Sequence, residues 1–347
     1  MSHTRIDMTR PDDWHLHLRD GERMAAVLRH TTRQFARAIV MPNLNPPIRT
    51  AEMALEYRDR ILAAVEPGTD FQPLMTLYLT DATTPADIDE AAASEHVVAC
   101  KLYPAGSTTN SDAGVSSLKA IYPILQHMAT KNLPLLVHGE VPEARVDVFE
   151  REAAFIDRVM VPLRELLPEL RIVLEHITTA EAVHFVNDQE ENVAATITPQ
   201  HLLLTCNDLL AGGLRPHHYC VPVLKSRNDR KALVEAATSG DPRYFLGTDS
   251  APHARHEKEA SCGCAGIFSA HAALEFYAEV FEAAGALGQL EAFASFNGAD
   301  FYGLPRNTEK IALEKERWTV PEDYDFAGDR LVPLRAGKTL KWHLSDD

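Results

Sequence analysis

Eight short apolar runs rich in β-branched residues, separated by longer segments of helical spacing, constrain this 347-residue chain more than any other feature. The runs are Asp13–His17, Ala38–Met41, Leu74–Leu79, Val97–Tyr103, Leu135–His138, Ile172–His176, Ala194–Ile197 and Tyr244–Gly247. Helical spacing is clearest at Thr50–Ala64, Val115–Ala129, Val148–Leu166 and Ala180–Val186. This alternation predicts an α/β fold with a parallel sheet whose crossovers are helices, and eight strands suffice to close a (β/α)8 barrel of the TIM type. An open doubly wound sheet would carry a glycine-rich phosphate turn after its first strand, and none follows Asp13–His17. No repeat, low-complexity tract or linker divides the chain. Residues 1–347 are therefore expected to form one barrel domain, with a helical Ser269–Gly285 and an irregular, partly extended Glu322–Asp347 appended. Tyr219–Leu224 is a candidate for a further short strand in the long interval before the eighth run.

Charge and cysteine usage exclude several functions. Fifty acidic against 34 basic residues give a net charge of −16, which argues against a basic footprint for nucleic acid or an anionic membrane surface. An anionic substrate must then be drawn in by a few local cations. The five cysteines, Cys100, Cys206, Cys220, Cys262 and Cys264, are odd in number and irregularly spaced, the pattern of a reducing compartment. The opening residues lack the apolar core of a signal peptide, and no apolar run reaches the roughly 18 residues of a membrane span, so a cytoplasmic location is expected. Cys262-Gly-Cys264 offers two thiols with no nearby third ligand. Structural zinc usually takes four, and the pair reads as reduced and structural. Ser250 stands outside any Gly-X-Ser-X-Gly elbow, which speaks against a serine hydrolase.

The residues that end the runs carry the chemistry. His15 and His17 stand two apart in Asp13-Trp-His-Leu-His-Leu-Arg-Asp-Gly21, and extended backbone puts both imidazoles on one face, where they can chelate one ion. His138 ends Leu135-Leu-Val-His, His176 ends Ile172-Val-Leu-Glu-His, and Asp249 follows Tyr244-Phe-Leu-Gly-Thr. Each could merely cap its own strand. In a closed parallel barrel, however, all the C-terminal strand ends meet at one mouth, and four strands delivering four histidines and an aspartate there favour a metal site. Lys101 lies inside the otherwise apolar Val97–Tyr103, a position that is costly unless the amine is paired, deprotonated or modified. Its plain role is an ion pair with an acidic neighbour; beside metal ions an ammonium would be repelled.

Asp13-Trp-His-Leu-His-Leu-Arg-Asp-Gly21, Met41-Pro-Asn-Leu44, Lys101-Leu-Tyr-Pro104, Val137-His-Gly-Glu140, Glu175-His-Ile-Thr-Thr179 and Gly247-Thr-Asp-Ser-Ala-Pro-His-Ala-Arg255 together resemble the dihydroorotases of the amidohydrolase superfamily. The likeness is to the shorter bacterial type, a free homodimer, and runs from about Asp12 onward; Pro199-Gln-His201 and Ser261–Gly266 share it. The resemblance implies two zinc ions per chain: one on His15, His17 and Asp249, the other on His138 and His176, with a CO2-carboxylated Lys101 bridging them. It further implies that Arg19, Asn43 and His253 hold the substrate carboxylate, that main-chain groups near Val221 and Ala265 hold the ring amide, and that His17 and His138 also face the substrate. Thr108 and Thr109 match a mobile lid within Ala105–Gly114. Taken alone, Arg19 would more often pair with Asp20 or Asp12, and the Ala105–Gly114 segment would be a passive loop.

The activity so implied is the reversible cyclisation of N-carbamoyl-L-aspartate to L-dihydroorotate in pyrimidine synthesis, with a zinc-activated hydroxide as nucleophile and Asp249 as proton shuttle. Another cyclic amidase, of hydantoinase or allantoinase type, is the nearest rival, but its substrates need no carboxylate clamp. An inactive barrel serving as an assembly partner is expected to lack metal ligands, and all six candidates are present here.

Overall fold

In the computed structural model, which describes residues 4–345, the eight expected strands form one parallel sheet. The barrel strands are β2 (Asp12–Leu16), β3 (Arg37–Val40), β4 (Gln72–Tyr78), β5 (Val97–Leu102), β6 (Leu135–His138), β7 (Ile172–Glu175), β8 (Val193–Ile197) and β9 (Tyr244–Leu246), hydrogen-bonded in that order. They follow β1 (Arg5–Thr9), which lies outside the barrel. Closure runs through the backbone just beyond β2 and β9: His17 N donates to Ser250 O at 3.0 Å and Asp249 N to His15 O at 2.8 Å. These two bonds already place the first histidine pair beside the aspartate. Among the described residues no helix is long and apolar enough to cross a membrane.

Alternation along the strands divides the core in two. Outward side chains such as Val40, Leu77, Leu102, Val137, Leu174 and Leu246 pack under the helices. Trp14, Ile39, Leu74, Ala99, Leu136, Val173, Ala194 and Phe245, one from each barrel strand, form a separate apolar cluster inside the barrel, with Phe301, Tyr302 and Leu304 against it. Two residues further along four of those strands the inward positions become Lys101, His138, Glu175 and Thr196. The period of two thus changes the lining from apolar to polar within one layer.

Trp14 closes the lower layer, stacked on Tyr302 with ring centroids 4.8 Å apart. A Cβ at Gly298 would stand 2.1 Å from Trp14 Nε1, so only glycine lets the helix Asn297–Tyr302 approach the indole. Gly298→Ala is expected to lower stability by about 1–3 kcal/mol through overpacking; a denaturant midpoint equal to that of the parent would contradict this.

Two expectations are corrected and one strand is added. The expected Val148–Leu166 helix begins only at Arg151 and is not uniformly α-helical: Arg151–Phe155 and Val161–Leu166 flank a π-turn at Ile156–Met160 within one continuous helical segment. Pro162 has no N–H to continue the ladder, and the wider turn accommodates the break. Tyr219–Leu224 forms no strand. Its carbonyls are taken by side chains instead, Tyr219 O by Lys258, Pro222 O by His201 and Val223 O by Lys225. β1, which is half polar, was not anticipated; it pairs antiparallel with β10 (Lys310–Glu314), which also pairs with His343–Leu344. The eight barrel strands agree with the expected ranges to within two residues.

Candidate metal centre

The backbone turns sharply where the ligands are needed. Arg19, His176 and Asp249 all have positive φ, 67°, 42° and 44°, a conformation that L-residues adopt rarely and that clusters at functional sites. At the end of β7 this brings His176 to the mouth directly after the inward Glu175, so one strand delivers two successive polar side chains. His176 N is held by Thr196 Oγ1 at 2.8 Å. Asp13 ties β2 to β9 by accepting from Thr248 N at 2.9 Å and Thr248 Oγ1 at 2.6 Å.

The first group of ligand atoms consists of acceptors turned toward one another. Asn43 Nδ2 donates to Thr109 O at 3.1 Å, which fixes the amide, and His17 Nδ1 donates to Asn43 Oδ1 at 2.8 Å. Burial draws the His17 pKa down to about 4, so the ring is neutral and its Nε2 carries a lone pair. That lone pair lies 3.2 Å from Asp249 Oδ1 and 3.4 Å from His15 Nε2, and His15 Nε2 is 3.4 Å from Asp249 Oδ1. Two nitrogens and an oxygen arranged about a common centre at zinc–ligand distances would be separated by about 3.3–3.4 Å. The three separations fit that geometry, and a cation is what such converging acceptors lack.

The second group is a histidine pair. His138 Nε2 donates to Glu140 Oε2 at 3.1 Å, leaving its Nδ1 lone pair 3.3 Å from His176 Nε2. Burial holds both imidazoles below the ordinary histidine range, and His176 Nδ1 is buried without a hydrogen-bond partner. Between the groups, His15 presents Nδ1 to Glu175 Oε1 at 3.0 Å, and Glu175 Oε2 accepts from Lys101 Nζ. Lys101 and Glu175 side chains are fully buried, and desolvation pushes the Lys101 amine well below the usual lysine range. The donor set therefore fits divalent metal.

Beside this cluster Arg19 is free of the partners that a surface role would give it. Asp12 is taken by Arg37 and Asp20 by Arg60. Arg19 instead donates from Nε to Pro252 O at 3.0 Å and places Nη2 2.8 Å from His253 Nε2. Thr108, Thr109, Val221 and Ala265 line the same cavity as the metal-ligating candidates, together with Tyr103 and Gly266. His253 and Lys101 are not part of that lining: His253 contacts Arg19, and Lys101 is fully buried. The enclosed space is about 20 Å³, room for roughly one water, because the Ser107–Asn110 turn closes over it through Asn43. Three participants escaped sequence reasoning: Glu175, Glu140 and Tyr103. Alternation from Val173 and from Lys101 would have turned Glu175 and Tyr103 inward; Glu140 gave no signal short of the fold.

The chain is similar to known proteins over nearly its whole length. The model of the Amidohydrolase family matches residues 13–324. A dihydroorotase of Laribacter hongkongensis is 63% identical over 341 residues, covering 98% of this chain and 99% of the relative. The crystal structure of a dihydroorotase from Campylobacter jejuni superposes with a TM-score of 0.91 at 37% identity, covering 99% of this chain and 98% of that one. That of the Saccharomyces cerevisiae enzyme in complex with 5-fluoroorotic acid gives 0.90 at 36%, covering 99% of both. Converging lone pairs at the barrel mouth, a freed arginine beside them and full-length relatives of one kind lead to the same place: the chain belongs to the dihydroorotases of the amidohydrolase family.

Proposed function

We propose that this mouth interconverts N-carbamoyl-L-aspartate and L-dihydroorotate, with the whole chain acting as one barrel domain. The observation that carries the reading is a set of converging histidine nitrogens and a carboxylate oxygen within reach of half-buried Arg19, which pairs with no carboxylate among the described residues. His15, His17 and Asp249 would hold one zinc ion, and His138 and His176 a second. Zinc at such a site supplies Lewis-acid polarisation of a carbonyl and a lowered pKa for water. Lys101 is suited to bridge the two as a carbamate. Its buried amine is held toward the neutral form, and addition of that nitrogen to CO2 releases one proton and leaves a carboxylate with two oxygens.

The chain's own residues do the rest. Arg19, Asn43 and His253 orient the substrate carboxylate, while main-chain groups at Val221 and Ala265 hold the ring amide, with His17, His138, Thr108 and Thr109 around it. The Ser107–Asn110 turn must swing away to admit a six-membered ring into so small a space, and Thr108 and Thr109 return with it to exclude water. Asp249, whose carboxylate is aimed across the mouth, holds the proton that passes from the attacking water to the leaving ring nitrogen, and ring closure reverses the transfer. The subunits are read as pairing into a homodimer, which sedimentation of the purified chain tests.

Arg19→Met separates this reading from that of a cyclic amidase without a carboxylate requirement. Loss of a desolvated charge pair typically costs about 2–5 kcal/mol, so apparent affinity for both substrates should fall by at least an order of magnitude while metal content stays near that of the parent. Steady-state kinetics with dihydroorotate and with hydantoin checks it. Unchanged affinity for dihydroorotate, or better turnover of hydantoin by the parent, would overturn the assignment.

A further inference from the structure

The main chain opposite Asp249 comes from two separate loops, one through Tyr219–Val221 and the other through Cys264–Gly266, and Lys258 reaches between them. It ends the one-turn helix Arg255–Lys258 and is 4% exposed. Its Nζ donates to Tyr219 O at 2.8 Å, Cys264 O at 2.9 Å and Gly266 O at 2.6 Å. An ammonium has three N–H bonds, so each proton has a main-chain oxygen, and no carboxylate is among these partners. One main-chain hydrogen bond also joins the loops, Gly266 N to Tyr219 O at 3.0 Å. Gly266 leaves no room for slack, since a Cβ there would stand 2.6 Å from Ala251 O.

This arrangement decides which way the intervening residue faces. Cys264 O and Gly266 O are both turned to Lys258, and the carbonyl between them, Ala265 O, is turned instead to within 3.0 Å of His253 Nε2. Ala265 and Val221, one on each tied loop, line the cavity that contains Asp249. We propose that Lys258 is a positioning residue for the substrate ring, setting the orientation and spacing of the two main-chain segments that hold the ring amide. The inference rests on the function proposed above. It assigns Lys258 to affinity for the ring and not to the proton transfers, because it touches neither the metal-ligating candidates nor Asp249. Arginine could not take its place: a planar guanidinium fork does not converge on three carbonyls as a tetrahedral ammonium does.

The test compares the metallated parent with Lys258→Met, which keeps the length and loses every donor, and Lys258→Gln, which keeps two N–H bonds. In Lys258→Met, KM for L-dihydroorotate should rise roughly tenfold or more while kcat stays within about threefold, the signature of lost binding that ground and transition states share. Lys258→Gln should fall between the two, and metal per chain should be unchanged in both. A merely structural role would lower kcat, metal content and soluble yield together. A KM within about twofold of the parent in the metallated Met variant would overturn the inference. So would a fall in kcat at constant KM, or failure of both variants to fold, which would assign Lys258 to the core. A parent that does not turn over dihydroorotate would overturn the proposed function instead.

Discussion

Lys101→Ala is expected to remove most of the metal and most of the activity. Metal should fall from two ions to fewer than one per chain, and turnover should drop by more than the roughly 10–100-fold typical of losing a ligand's outer partner. The reason lies in the layer to which Lys101 belongs. It is the inward residue two steps above Ala99, fully buried, with Glu175 beside it and ligand groups on either side. If the carbamate bridges the centre, alanine removes the shared anion and leaves two divalent ions to repel each other. Alanine also leaves the buried Glu175 carboxylate without the Lys101 N–H that it accepts, which destabilises the metal-free chain by about 1–3 kcal/mol. Those two consequences can be separated. Combining Lys101→Ala with Glu175→Gln removes the orphaned charge, so stability should return while metal does not. Partial recovery of Lys101→Ala by a short carboxylic acid would point the same way. Two tightly bound ions and normal turnover in Lys101→Ala would show that the lysine only neutralises Glu175.

Asp249→Asn should leave much of the metal bound and lower turnover by roughly 10²–10⁴-fold, the usual share of general acid–base catalysis. Asparagine keeps the shape and one carbonyl oxygen, so it can still occupy the position 3.2 Å from His17 Nε2 and 3.4 Å from His15 Nε2. It cannot accept and return a proton. The backbone at φ 44° and the bond from Asp249 N to His15 O do not depend on the carboxylate, so the loop should hold. Affinity for substrate should change little, because Arg19 and Asn43 of the carboxylate clamp lie on other loops and the Asp249 carboxylate makes no hydrogen bond to His253. Rapid-quench turnover with metal analysis on the same sample checks this. Near-normal turnover in a fully metallated Asn variant would place the shuttle elsewhere, and metal loss in proportion to activity loss would make ligation the whole role of Asp249.

The barrel and its metal-ligating candidates were legible in the sequence for one reason: both depend on local periodicity. His138 and His176 close apolar strands, and His15 and His17 share a face, without reference to anything distant. What was not legible depends on register or on contact across the chain. Glu175 matters because the barrel brings it against Lys101 and His15 from other strands, and Glu140 because its carboxylate reaches the far nitrogen of His138. The partnership of β1 with β10 spans some three hundred residues and involves a strand with little apolar signal. Tyr219–Leu224 has the composition of a strand, but its carbonyls are satisfied by His201, Lys225 and Lys258 before any ladder can form. Lys258 carries no signal in the sequence, and only the convergence of three carbonyls upon it gives it a role.

The most direct test of the binuclear, lysine-bridged centre is X-ray diffraction at the zinc absorption edge from crystals of the metallated chain. Two anomalous peaks are expected, one within about 2.0–2.2 Å of donor atoms on His15, His17 and Asp249 and the other at the same distance from His138 and His176. Electron density should continue from Lys101 Nζ into a carboxylate that touches both. A single peak at full metal loading, or a Lys101 side chain that ends at Nζ against Glu175, would contradict the account.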